Sequence, residues 1–178
     1  MPQRTINLEI DKAYADLKAC FEAQKCKVLS EDKPNQIVVR QGSLWGASPI
    51  TAKKTVIANL EPVGSTTKIA CASTLGRDWK KLTVVGCIFA AVLVGVCVWI
   101  AFDLTSYMAT LKPSFWSWLI TIDNTADLHA GTSFVNLTEY LAVFLSLIIA
   151  LEAVIYIYVQ RKIDTFAEGI LNSLRDKA

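Results

Sequence analysis

The sequence predicts an α+β membrane protein: an N-terminal β-α-β-β-β-β cytoplasmic domain, a two-helix transmembrane hairpin and a C-terminal amphipathic helix. Three observations carry that expectation. Two stretches of 21 residues, Leu82–Phe102 and Tyr140–Gln160, hold a single charge between them, Glu152. Residues 1–81 place apolar positions at the periods of short strands and of one helix. Residues 161–178 repeat apolar side chains at helical spacing. A helix of ~20 residues crosses the ~30 Å hydrocarbon layer, so each uncharged stretch is about one span. Composition agrees: of 178 residues 53% are hydrophobic and 19% charged, which excludes a disordered chain.

Within residues 1–81, Arg4–Ile10 alternates, with Ile6, Leu8 and Ile10 on one side, and predicts a half-buried strand. Asp11 is placed to cap the next element. Lys12–Lys25 predicts an amphipathic helix whose stripe is Ala13, Tyr14, Leu17, Cys20 and Phe21; an earlier start that absorbs Leu8–Ile10 is the alternative. Four strands follow: Lys27–Ser30, Gln36–Leu44, Lys54–Leu60 and Thr66–Thr74. The first turn, at Asp32–Asn35, uses Pro34 to set φ and Asn35 as a residue that tolerates the left-handed region; Val63–Ser65 makes the last. Short turns between neighbours predict antiparallel pairing.

The stretch MPQRTINLEIDKAYADLKACF is polar and lacks an apolar signal region, so Leu82–Phe102 is expected to enter the membrane first. Residues 1–81 carry 13 Lys and Arg against 8 Asp and Glu. Arg77, Lys80 and Lys81 precede the first span, and Arg161 and Lys162 follow the second. Segment 103–139 has one base, Lys112, against Asp103, Asp123, Asp127 and Glu139. Basic flanks stay on the cytoplasmic side, so both termini are expected inside the cell membrane and the loop outside. The same five bases and Trp79 suit the lipid headgroup region.

The first span holds Gly86, Ala90, Ala91 and Gly95, small residues four apart that let another helix approach, most simply the second span. In the loop (103–135), Pro113–Ile122 (PSFWSWLITI) is too short to span and predicts an interfacial helix with Phe115, Trp118, Leu119 and Ile122 on one side. Phe115, Trp116 and Trp118 are its candidate contacts with a partner or the interface. Asn136 and Glu139 suit a capping box for a second helix over 136–160. After it, Ile163, Phe166, Ala167, Ile170, Leu171 and Leu174 form a stripe that needs cover, from the N-terminal domain, the membrane surface or another subunit.

Glu152 is the sharpest chemical signal. It lies nine residues from Arg161, ~13 Å along a helix axis and inside the hydrocarbon. An ionised carboxylate there costs at least ~2.5 kcal/mol. Tyr156, one turn on, is the candidate donor to it, and a polar group on another subunit is the alternative. Gly42–Pro49 (GSLWGASP) lacks the Gly-Lys-Ser/Thr ending of a phosphate loop; its Trp45 is expected to fill the core, touch the membrane or dock a partner.

Other chemistry is thin. Asp123, Asp127 and His129 match no metal-ligand spacing and read as a solvated turn. Asn136-Leu137-Thr138 is a sequon too close to a span for a glycan. Cys20, Cys26, Cys71, Cys87 and Cys97 show no zinc spacing and none falls in the loop, so neither metal nor disulfide is expected. No nucleophile motif is present and the bases of residues 1–81 are dispersed, so catalysis, cofactors and nucleic-acid binding are not expected. The expected function is a non-enzymatic subunit or accessory factor of a larger membrane complex, with the bilayer and other membrane proteins as partners. The alternatives are a homo-oligomeric channel or transporter component using Glu152, and a sensor whose cytoplasmic domain binds a ligand or lipid.

Overall fold

The computed structural model describes residues 1–122 and 125–175; Asp123, noted above, lies outside the described residues. The chain forms two compact units. One is Met1–Leu82 with Ile155–Ala178, and the other is Thr83–Val154.

In the first unit β1 (Gln3–Ile6) leads to α1 (Ile10–Ala23), then to β2 (Lys27–Asp32), β3 (Gln36–Gln41), β4 (Lys54–Val63) and β5 (Thr66–Leu75). The sheet order is β1-β5-β4-β3-β2 and every pairing is antiparallel. Because β1 pairs with the last strand and β2 with the third, α1 links the two edges. Alternation along the strands sends one set of side chains to a single face: Ile37 and Val39, Val56, Ala58 and Leu60, Ile69 and Cys71. Leu17 and Phe21 of α1 cover part of that face. Phe166, Ala167, Ile170, Leu171 and Leu174 of α4 (Thr165–Arg175) cover the rest. Burying each large apolar side chain fully is worth ~1.5–3 kcal/mol. The core of the sheet is therefore completed from the far end of the chain, and residues 1–81 are not a closed unit by themselves.

Several local expectations change. β1 stops at Ile6 because Ile10 opens α1, and the residue before α1 is Glu9, with extended backbone and no side-chain cap. Asp11 lies in the first turn instead, near the positive end of the helix dipole. α1 closes on Lys25 in the left-handed region (φ 56°). The Lys25 N–H donates to the Glu22 carbonyl at 2.9 Å, and the Cys26 N–H donates to the Phe21 carbonyl at 3.0 Å. Asn35 is not left-handed; among the described residues other than glycine only Lys25 and Leu111 are. β3 ends at Gln41 rather than Leu44 because Gly42 turns the chain at φ 89°.

α2 (Arg77–Thr110) and α3 (Leu128–Arg161) have 34 residues each and make up most of the second unit. Each measures ~51 Å at 1.5 Å per residue, against a ~30 Å hydrocarbon layer. Both are long and apolar enough to cross a membrane. Many of their apolar side chains face outward, Phe89, Phe102, Leu147 and Val154 among them, while Ala101, Leu104, Tyr107 and Val135 are buried in a cluster with Ile120.

No helix spans 113–122. The chain makes turns, one 3₁₀ turn at Ser117–Leu119, and a ribbon of β6 (Thr121–Ile122) and β7 (Thr125–Ala126). Asp103 on α2 is the cause. Its carboxylate accepts the Ser114 hydroxyl at 2.7 Å and the Trp116 N–H at 2.8 Å, which takes the Trp116 N–H away from a helical bond to a backbone carbonyl. Nor do Asn136 and Glu139 begin a helix. α3 starts at Leu128, and the Asp127 carboxylate caps it by accepting the N–H groups of His129 and Ala130 at 3.0 and 2.9 Å.

Candidate functional site

In the first unit the beginning of α2 and the end of α3 meet in an apolar joint. Trp79 stacks on Tyr156 with centroids 5.9 Å apart, and Ala52, Leu75 and Val159 are buried beside them. The Trp79 indole N–H donates to the Gly46 carbonyl at 3.0 Å. Trp79 is therefore a buried joint residue rather than a headgroup-exposed ring. That bond ties the joint to the loop of residues 42–53, within which Gly46 packs so closely that an added Cβ would lie 2.1 Å from the Thr51 carbonyl oxygen.

A second tie to this loop comes from Lys54, a residue the sequence reading passed over. Lys54 is fully buried in phase with Val56, Ala58 and Leu60. Its ammonium donates to the Pro49 and Ile50 carbonyls and sits 4.9 Å from the centroid of the Phe166 ring. Burial pulls its pKa down to about 8. Burial likewise pushes the Cys71 thiol up to about 12 and raises Cys26. Next door, Lys53 pairs with Asp78 at 2.7 Å and holds that carboxyl below its ordinary range. On the far side of the unit Glu31 ties β2 to α1. It pairs with Lys18 at 2.7 Å and accepts the Tyr14 hydroxyl at 3.0 Å; both contacts lower the Glu31 carboxyl. These contacts tie the strands and helices of the unit to one another.

The loop tip points away from the core. Trp45 is 85% exposed, so it does not fill the interior. Arg77, Lys81, Arg161 and Lys162 are exposed and Lys80 half-buried. Among the described residues none of the five has an ion-pair partner.

In the second unit Glu152 is half-buried, and among the described residues nothing donates to it or pairs with it. The expected bond from Tyr156 is not made; that ring is committed to Trp79. The small residues do not serve the second long helix either. A Cβ added at Gly86 or Gly95 would meet nothing within 4 Å, and Ala91 is exposed while Ala90 is half-buried. The close approach falls instead at Gly131 on α3, where an added Cβ would lie 2.5 Å from Met108 Sδ and 2.8 Å from Ile120 Cδ1. The expected loop contacts form one aromatic cluster. Phe115 stacks on Trp99 at 5.1 Å, and Trp116 lies against Trp99, Phe115 and Trp118 at 5.4, 5.0 and 6.4 Å. Phe115 and Trp118 remain exposed, and the Trp116 indole N–H is buried without a partner.

Asp127 is occupied as the cap of α3, and among the described residues no three metal-ligating side chains converge. The sequence matches no family model and no curated protein.

Proposed function

We propose that the chain is a two-span, non-enzymatic subunit or accessory factor of a larger membrane complex, with both termini cytoplasmic and the segment between its spans outside. One observation carries this reading: Glu152 sits in an apolar helix with no partner of its own among the described residues. A carboxylate in hydrocarbon needs a proton, water or a polar neighbour, and a neighbouring subunit supplies the last. The open faces at Gly86 and Gly95 give such a subunit a place to approach closely. The five bases near Trp79 and the end of α3 favour the cytoplasmic side for the first unit.

Native mass spectrometry of the full-length chain, extracted from its own membrane in mild detergent, tests the reading. The expected result is a mass that includes other proteins, and a Glu152→Leu variant recovered as the free chain. Recovery of the unaltered chain alone overturns it. A complex containing only copies of this chain replaces it with a homo-oligomer.

A further inference from the structure

The first unit holds an apolar tip that its own core does not use. Leu44, Trp45 and Ile50 are 37%, 85% and 54% exposed. Yet the loop that bears them is pinned on both sides. The Trp79 indole N–H holds the Gly46 carbonyl, the Gly76 N–H holds the Lys53 carbonyl at 2.8 Å, and Lys54 holds the carbonyls of Pro49 and Ile50. A loop tied at these points cannot tuck its tip into the core, so the three side chains are presented outward by construction.

The depth of the tip follows from helix geometry. Trp79 and Leu82 belong to one continuous helix, and three residues span ~4.5 Å of its axis. If Leu82 opens the hydrocarbon stretch, the loop bonded to Trp79 lies at the level of the headgroups, where an indole is most at home. Charge agrees. Arg77, Lys80 and Lys81 precede Leu82, and Arg161 and Lys162 follow Tyr156, which stacks on Trp79. The acids of the same band are already matched: Asp78 faces Lys53 at 2.7 Å and Asp164 faces the Met1 amine at 3.5 Å. The band therefore carries five bases outside any ion pair among the described residues, in the segments that form the joint holding the apolar tip, which complements an anionic lipid surface.

We propose that residues 42–53 are a membrane wedge, seating Leu44, Trp45 and Ile50 in the headgroup layer while Arg77, Lys80, Lys81, Arg161 and Lys162 bind the phosphate groups of anionic lipids. The inference rests on the two-span reading. It makes the first unit a lipid-contacting body held against the bilayer, rather than one hung beneath it.

The full-length chain is reconstituted into vesicles of phosphatidylcholine, with and without phosphatidylglycerol, using lipids brominated near the headgroup. Subtracting the emission of Trp45→Phe from that of the unaltered chain isolates Trp45. Bromination is expected to remove most of that signal, and more of it in the anionic vesicles. Lys81→Gln with Lys162→Gln, which leaves Arg77, Lys80 and Arg161 in place, is expected to shrink the anionic excess; an unchanged excess overturns the role of the bases. A Trp45 signal indifferent to bromine overturns the wedge, whether the indole reads as water-exposed or shifts with protein density because a second copy covers it. Trp99→Phe, in vesicles brominated deeper in the acyl chains, keeps the two readings apart. Quenching of Trp99 without Trp45 sinks the wedge alone; quenching of neither sinks the two-span reading as well.

Discussion

The two units each hold an ionisable side chain among apolar ones, and they treat it in opposite ways. Lys54 in the sheet is fully enclosed and satisfied by the chain itself, with two carbonyls and the face of Phe166. Glu152 in α3 has no partner among the described residues. The same contrast runs through the apolar residues. Those of the sheet meet one another, whereas many of those of α2 and α3 face outward and only a small cluster around Leu104 is buried. A buried polar group must be matched somewhere. The first unit satisfies Lys54 from its own chain, whereas in the second unit Glu152 finds no such match among the described residues.

The comparison breaks most sharply at Phe166. Phe166→Ala removes a core ring and the cover of Lys54 together, and is expected to cost the sheet unit about 3–5 kcal/mol. Hydrogen exchange followed peptide by peptide should show protection lost across β3, β4 and β5. Equal loss in α2 would mean that the units are not separable. In the second unit the corresponding tie is Asp103. Asp103→Ala removes a charged acceptor from Ser114 and Trp116, about 1.5–3 kcal/mol per bond, with the effect confined to the loop. Faster exchange at 114–119 with α2 unchanged is the expected pattern.

The smallest effect is a pH dependence. Lys54 is held at about 8 against its ordinary 10.5, so between those values the unfolded chain keeps a proton that the folded one has released. Stability of the sheet unit therefore rises with pH in that window. Cys71, raised from 9.0 to about 12, works in the opposite direction above pH 9, where the unfolded thiol ionises first. Between pH 8 and 9 Lys54 leads and contributes about 1 kcal/mol, offset in part by Cys71 and Cys26, whose unfolded thiols begin to ionise there, so a smaller net rise is expected. Thermal unfolding across that interval should show the rise, and Lys54→Met should flatten it.

The strand and helix order of the first unit was legible because its contacts repeat locally. Ile6, Leu17, Ile37 and Ile69 announce their faces by period alone. Lys54 was legible too, in phase with Val56, Ala58 and Leu60, but a charged residue is discounted as core on composition. What stayed hidden depends on partners distant in sequence. The segment 113–122 has helical spacing, but Asp103, ten residues before Pro113, and the hydroxyls of Ser117 and Thr121 hold it in turns. The capping-box pattern at Asn136 and Glu139 was equally sound locally, and it lost because Asp127 starts the helix first. Small residues four apart said that close approach was possible; the contact formed at Gly131 instead, where Met108 and Ile120 converge. The joint of Trp79 and Tyr156 has no local signature at all.

The discontinuous core has a temporal meaning. Synthesis runs from the N-terminus, so Met1–Leu82 exist well before Thr165–Arg175 are made. Until then Ile37, Val56 and Ile69 lie beneath an incomplete roof, on a half-finished surface that chaperones can recognise. Completion waits on both long helices being made, so a chain stalled partway through synthesis leaves that surface open.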